Sequence, residues 1–178
     1  MKPKSYLHIM AFISAAAFMA TGGHATAAAE CAAESVRYKS VTVDDVEIFY
    51  REAGNRDKPT LLLLHGFPSS SHMFRNLIPA LANDYYVVAP DYPGYGNSSA
   101  PSRESFEYTF DNIAGIVGHF VEQIGLQRYA LYLQDYGAPI GFRLAVAQPN
   151  RVTALIVQNG NAYNEGIDNP FWEPIKQY

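Results

Sequence analysis

The chain has 178 residues, 48% of them hydrophobic, and a formal net charge of −4. That length suits one domain of ordinary size, and the composition fits a packed core while excluding a disordered, collagen-like or disulfide-rich chain. The mild acidity gives no electrostatic reason for a nucleic-acid partner, and the lone Cys31 excludes an internal disulfide or a cysteine-based zinc site.

Lys2 and Lys4 precede an apolar stretch from Tyr6 to Ala20, and A-x-A sites follow at Ala25-Thr26-Ala27 and Ala27-Ala28-Ala29. This order predicts a signal peptide over residues 1–29 and export to the periplasm or medium. The alternative is a membrane anchor. Its apolar run is short and diluted by His8, Ser14 and Thr21, so no stable anchor is expected.

Residues 36–43 and 46–53 alternate apolar and polar side chains around Asp44-Asp45 and predict a β-hairpin. Leu61 to Leu64 form a continuous apolar run, as in a strand buried on both faces. Ser70 or Ser71 is placed to cap a helix running to about Leu81. Tyr85 to Ala89 is the next strand, followed by a Pro/Gly/Ser-rich loop over residues 90–102. Phe110 to Ile124 predicts a long amphipathic helix ended by Gly125, with Ile113, Ile116, Val117, Phe120, Val121 and Ile124 as its apolar stripe. A strand at Tyr129–Leu133, a helix at Ala138–Gln148 and a sixth strand at Ala154–Val157 complete the set. A hairpin followed by alternating strands and helices predicts an α/β fold, with a mostly parallel sheet covered on both faces. Chemistry in such sheets collects at the carboxyl ends of the strands.

Gln134-Asp135-Tyr136-Gly137-Ala138 turns from strand to helix with one reactive side chain at the corner. Gly137 and Ala138 are small where the new helix must approach its strand, and Pro139 is tolerated in a first helical turn. This pattern matches a nucleophile elbow with aspartate in place of serine. On this segment alone Asp135 fits equally well as a helix N-cap.

Three motifs together decide for the elbow. His65-Gly66-Phe67-Pro68 after the third strand, Asp91-Tyr92-Pro93-Gly94-Tyr95-Gly96-Asn97-Ser98 after the fourth and Gln134-Asp135-Tyr136-Gly137 after the fifth resemble the epoxide hydrolase and haloalkane dehalogenase branch of the α/β-hydrolase family. The resemblance runs from about Val36 to Tyr178. It implies that Asp135 is the nucleophile, that the backbone N–H groups of Phe67 and Tyr136 form an oxyanion hole, and that His65, Gly66, Pro68, Asp91, Gly94, Gly96 and Gly137 are structural. It calls for neither cofactor nor metal. His72 and His119 are expected at the surface.

A carboxylate nucleophile displaces a leaving group from saturated carbon and forms an ester, so the expected partner is a small apolar alkyl substrate. Haloalkane dehalogenases usually hold the halide with a tryptophan after the nucleophile and a second donor near the H-G motif. This chain has Tyr136 and Phe67 there, which favours an epoxide over a halide. The resemblance also implies eight strands, a cap, and an acid and a histidine after the nucleophile. Six strands can be placed, residues 30–163 forming the core and residues 164–178 the opening of a cap. No histidine follows Asp135, and Glu165 and Asp168 fit loop charges better than a triad acid. The expectation is therefore a truncated hydrolase core, inactive by itself, with an exposed apolar sixth strand. Two alternatives are a chain completed by a second polypeptide and a non-catalytic protein binding an apolar ligand in a Phe67/Tyr95/Tyr136 cleft. The oligomeric state is open.

Overall fold

Asp44 and Asp45 both adopt left-handed backbone, with φ of 46° and 65°. A two-residue hairpin turn of type I′ requires that pairing. β1 (Arg37–Val43) accordingly folds back on β2 (Val46–Ala53) with Val43 opposite Val46. The computed structural model describes residues 35–163, 168 and 170–177. Residues 1–29, expected to be a signal peptide, and Cys31 and Glu165 lie outside the described residues.

β3 (Thr60–Leu64), β4 (Tyr86–Pro90), β5 (Tyr129–Gln134) and β6 (Val152–Gln158) complete a six-stranded sheet in the order β1-β2-β4-β3-β5-β6. The last four strands in that order run parallel, and the hairpin strands are antiparallel to their neighbours. The expected mostly parallel sheet is present.

Strand alternation sorts the core into two layers. Leu62, Leu64, Val88, Leu131 and Leu133 face one side, where α2 (Phe110–Gln123) and α3 (Gly137–Ala147) pack. Leu61, Leu63, Val87 and Ala89 face the other, against Phe74, Ile78 and Ala82. Thr109 caps α2 by accepting from the Asn112 N–H at 3.2 Å, and Gly125 with φ 77° ends it. The predicted stripe is buried except at the C-cap, where Ile124 is only partly covered; Phe120 is fully enclosed, edge-on to Tyr50 at 5.1 Å.

The single helix expected from Ser70 or Ser71 to Leu81 is in fact two pieces. Ser70 caps only a short 3-10 turn, Ser71–Phe74, and α1 spans Leu77–Leu81. Pro79 is the physical reason. It has no N–H for the Arg75 carbonyl, and its ring would collide with that carbonyl in a continuous helix. The proline is accommodated only because α1 restarts two residues before it.

Among the described residues, β6 is the least covered strand, with Leu155, Ile156 and Val157 at 46%, 45% and 48% exposure. Beyond it, a 3-10 turn at Pro170–Trp172 leads into α4 (Glu173–Lys176).

On the α2 side, Glu52 shares the face of Ile48 and Tyr50 and is 1% exposed. Lys39 Nζ lies 2.7 Å and Arg37 Nε 3.0 Å from Oε1, while Arg56 and the Tyr86 hydroxyl reach Oε2. Burial by itself pushes this carboxyl up, but the bonds from Lys39, Tyr86 and Arg37 outweigh it and bring it down to about 2. A folded-state value below the unfolded one stabilises the fold above the ordinary carboxylate range, and that contribution is lost as pH falls toward 2. Its size at neutral pH is about 3 kcal/mol. Glu52→Gln should therefore unfold at lower urea concentration at pH 7, and the gap from the parent should narrow steadily below pH 4.5. A gap that stays constant down to pH 3 would contradict this role for Glu52.

Candidate active site

In the strand order β4-β3-β5, three loops leave the sheet side by side at its carboxyl edge, and β3 is the middle strand. The segments after β3, β4 and β5 are therefore neighbours in space although they lie far apart in sequence. They carry the three motifs.

After β5 the chain makes a tight corner. Asp135 has φ 50°, a left-handed conformation that costs a non-glycine residue of order 1 kcal/mol or more and that aspartate tolerates better than most. The next two residues start α3, and the Ala138 N–H donates to the Asp135 carbonyl at 2.9 Å. Gly137 is what lets α3 begin there: a Cβ at this position would stand 2.2 Å from the Leu64 carbonyl oxygen of β3. The corner is thus wedged against the end of the middle strand.

The loop after β3 closes on the same corner. A Cβ on Gly66 would fall 2.6 Å from Asp135 Cβ and 2.2 Å from Gln134 Oε1, so only glycine permits the approach. That approach brings the Phe67 N–H to Asp135 Oδ1 at 2.8 Å. Oδ2 receives no hydrogen bond from a described residue. The Asp135 side chain therefore does not cap α3; its bond runs across to a neighbouring loop. The Tyr136 ring packs against Phe67 at 5.2 Å and edge-on to Phe110 at 5.0 Å. Pro68 follows Phe67 through a cis peptide bond.

His65 is sealed beneath this layer. Its ring is fully buried and stacks on Tyr92 at 3.9 Å. Nδ1 donates to the Gly66 carbonyl at 3.1 Å, leaving Nε2 to accept from the Tyr92 N–H at 3.4 Å. Burial pushes the imidazole below its ordinary value despite that carbonyl and the Asp91 charge. Both nitrogens are committed in the neutral ring, so His65 has no free lone pair to serve as a base. His72 and His119 are exposed, the latter paired with Asp44.

Asp91 knots the third loop. Oδ1 accepts from the Ser71 N–H at 2.6 Å and Oδ2 from the Asn97 N–H at 2.9 Å. Gly96, with φ 55°, gives it room: a Cβ would overlap Asp91 Oδ2 at 2.0 Å. Gly94, with φ 81°, takes the other bend. Arg51, nearly buried, donates to Ser71 Oγ at 3.0 Å and holds the far side of the knot. Sequence reasoning missed Arg51 and Ser71, since neither lies in a motif and both are brought in by register.

A cavity of about 430 Å³ opens next to Tyr136, and Asp135 itself is not among the residues that line it. Tyr92, Tyr95 and Tyr136 line it together with Thr109, Phe110 and Asp111 at the start of α2. The expected cleft needs correction in one respect: Phe67 does not line it. Its ring is 58% exposed and lies on the outer side of Tyr136. The α2 contribution left no local signal, because it arises from a crossover that brings residues 109–113 over the sheet edge. Among the described residues no group of His, Cys, Asp and Glu is arranged to hold a metal ion.

Comparison with known proteins agrees with this geometry. Residues 59–178 match the family model described as alpha/beta hydrolase fold. An uncharacterized hydrolase of Saccharomyces cerevisiae is 48% identical over 143 residues, covering 80% of this chain and 49% of that protein. Haloalkane dehalogenase 2 of Mycobacterium bovis is 42% identical over 101 residues, or 57% of this chain and 35% of that one. An epoxide hydrolase structure from Vigna radiata superposes with a TM-score of 0.64 at 34% identity, over 69% of this chain and 38% of the other. The chain thus spans about half, or less, of the length of the relatives it matches.

Proposed function

The chain belongs to the α/β-hydrolase fold family, with relatives among haloalkane dehalogenases and epoxide hydrolases, and on that footing we propose that it is the catalytic core of an epoxide hydrolase-type enzyme with Asp135 as nucleophile. One observation carries the reading: a strained Asp135 has Oδ1 held by the Phe67 N–H and Oδ2 without a partner among the described residues. Asp91 and Glu52, the buried carboxylates, have both oxygens bonded. Asp135 alone of the three keeps an oxygen available for attack.

In this reading Oδ2 attacks a saturated carbon of a small apolar substrate and forms an ester, and the carbon–oxygen bond to the leaving group breaks. Hydrolysis then puts an oxyanion on the Asp135 carboxyl, where the Phe67 and Tyr136 N–H groups would stabilise it; one such donor is worth about 3 kcal/mol of barrier. That second step needs a base. No histidine follows Asp135 in the 178 residues, and His65 is committed. The ester should therefore accumulate on this chain. Dehalogenation is the second reading, favoured by the dehalogenases among its relatives and opposed by Tyr136 and Phe67 at the positions where halide donors are expected. Residues 1–29 are proposed as a cleaved export signal and residues 164–178 as the opening of a cap.

Incubation with a reactive epoxide should add one substrate mass to the peptide containing Asp135, without sustained diol production, and Asp135→Asn should abolish the label. Equal labelling of the two proteins would remove Asp135 as nucleophile; steady turnover by this chain alone would contradict the absent base. Export predicts a mature N-terminus just after Ala27 or Ala29 in N-terminal sequencing of secreted material. Recovery of Met1 in a membrane fraction would contradict it.

A further inference from the structure

Farther along α2 than the cavity next to Tyr136, a second hollow of about 320 Å³ lies between α2 and α3. Its floor is apolar, with Ala114, Gly115 and Gly118 from α2 and Leu144 and Ala147 from α3. His119 and Gln148 stand at one end of this furrow. Asp111 and Arg143 stand at the other, where they also line the first cavity.

The two glycines weaken the middle of a helix, and the packing of the chain itself calls for neither. A Cβ on Gly115 would meet nothing within 4 Å, and one on Gly118 would make an ordinary 3.5 Å contact with Leu144 Cδ2. Their effect is to deepen the furrow.

The polar groups at the two ends differ in how far they are used. His119 pairs with Asp44, and Gln148 bonds Glu122 and Tyr129. Arg143 donates from Nε to Asp111 Oδ1 at 2.5 Å and from Nη1 to the Pro139 carbonyl at 3.0 Å, while Nη2 bonds no described residue. Asp111 is loosely held in turn: its side chain is 80% exposed, and Oδ2 has no donor among the described residues. An ion pair so open to water contributes little. An incoming anion can therefore displace Asp111, or share the guanidinium with it, at small cost. The guanidinium fork matches the geometry of a carboxylate.

A cation at the head of an apolar furrow suits an amphiphile, with the anionic head on the cation and the hydrocarbon tail over the floor. We propose that the furrow between α2 and α3 binds a medium-chain alkyl carboxylate, its head on Arg143 and its chain lying across Gly115 and Gly118. The proposal does not rest on Asp135 as nucleophile, since the α3 residues of the furrow lie beyond the first turn of that helix.

Isothermal titration calorimetry of the full chain with octanoate should show saturable binding. Octanol keeps the alkyl chain without the charge and should bind on the order of 10-fold more weakly. Arg143→Met keeps an unbranched side chain and should weaken octanoate to the level of octanol. Gly115→Leu fills the furrow from a position where the parent has open space. It should abolish octanoate binding while the thermal melt holds or rises, because leucine favours the helix. Asp111→Asn removes the competing anion and should tighten octanoate severalfold. Retained octanoate affinity in Gly115→Leu, parental affinity in Arg143→Met or weaker binding by Asp111→Asn overturns the proposal, and so does the absence of saturable heat from the parent. Concentration-dependent association of the parent in sedimentation, lost in Gly115→Leu and accompanied by no octanoate binding, would assign the furrow to a second copy of the chain and overturn it as well.

Discussion

Everything at the carboxyl edge of the sheet depends on one close approach, that of the loop after β3 to the corner after β5. The hydrogen bond from the Phe67 N–H to Asp135 Oδ1 is its visible product. Two glycines make it possible. Gly66 lets the loop lie on the Asp135 Cβ, and Gly137 lets α3 begin against the Leu64 carbonyl. Any Cβ at either site would force backbone apart and move the carboxylate from its donor. The strain at Asp135 is the counterpart of that packing: φ of 50° persists because two neighbouring strands and a helix start over-determine it.

The electrostatics of the chain divide its carboxylates by use. Glu52 is enclosed by three cations and a phenol and ties the hairpin to β4; Asp91 accepts two backbone N–H groups and ties a loop to itself. Both are spent on structure. Asp135 is half-buried, held at one oxygen and unbonded at the other among the described residues. A helix start is a favourable place for an anion, yet its side chain ignores the helix N–H groups and reaches for Phe67. The histidine beneath is likewise spent, its two nitrogens joining the ends of β3 and β4. The buried histidine at this edge of the sheet is thus a structural group, whereas one oxygen of Asp135 stays open among the described residues.

Strand positions were legible because their signals are local. The Leu61–Leu64 run, the Asp44-Asp45 turn and the 3.6-residue stripe of α2 each carry their own pattern, and the observed bounds differ from the expected ones by one or two residues at most. The break between Ser71–Phe74 and α1 was equally visible in Pro79, whose missing donor outweighs a well-formed cap at Ser70. The candidate site was legible only where a motif concentrates its residues. Arg51 and Ser71 meet across a strand and a 3-10 turn, and Thr109–Asp111 reach the cavity over a crossover. No periodicity records such meetings, since register and helix packing create them.

The most direct measurement of the central contact is the amide resonance of Phe67 in a ¹H–¹⁵N NMR spectrum, compared between the parent chain and Asp135→Gly. Glycine accommodates the left-handed corner and removes only the carboxylate. If the carboxylate holds the loop after β3, the Phe67 amide proton shifts upfield and exchanges faster in the variant, while Gly137 and Ala138 in the first turn of α3 stay in place. If instead Phe67 is unmoved and the Gly137 and Ala138 amides shift, Asp135 is a helix cap and the account of the corner is wrong.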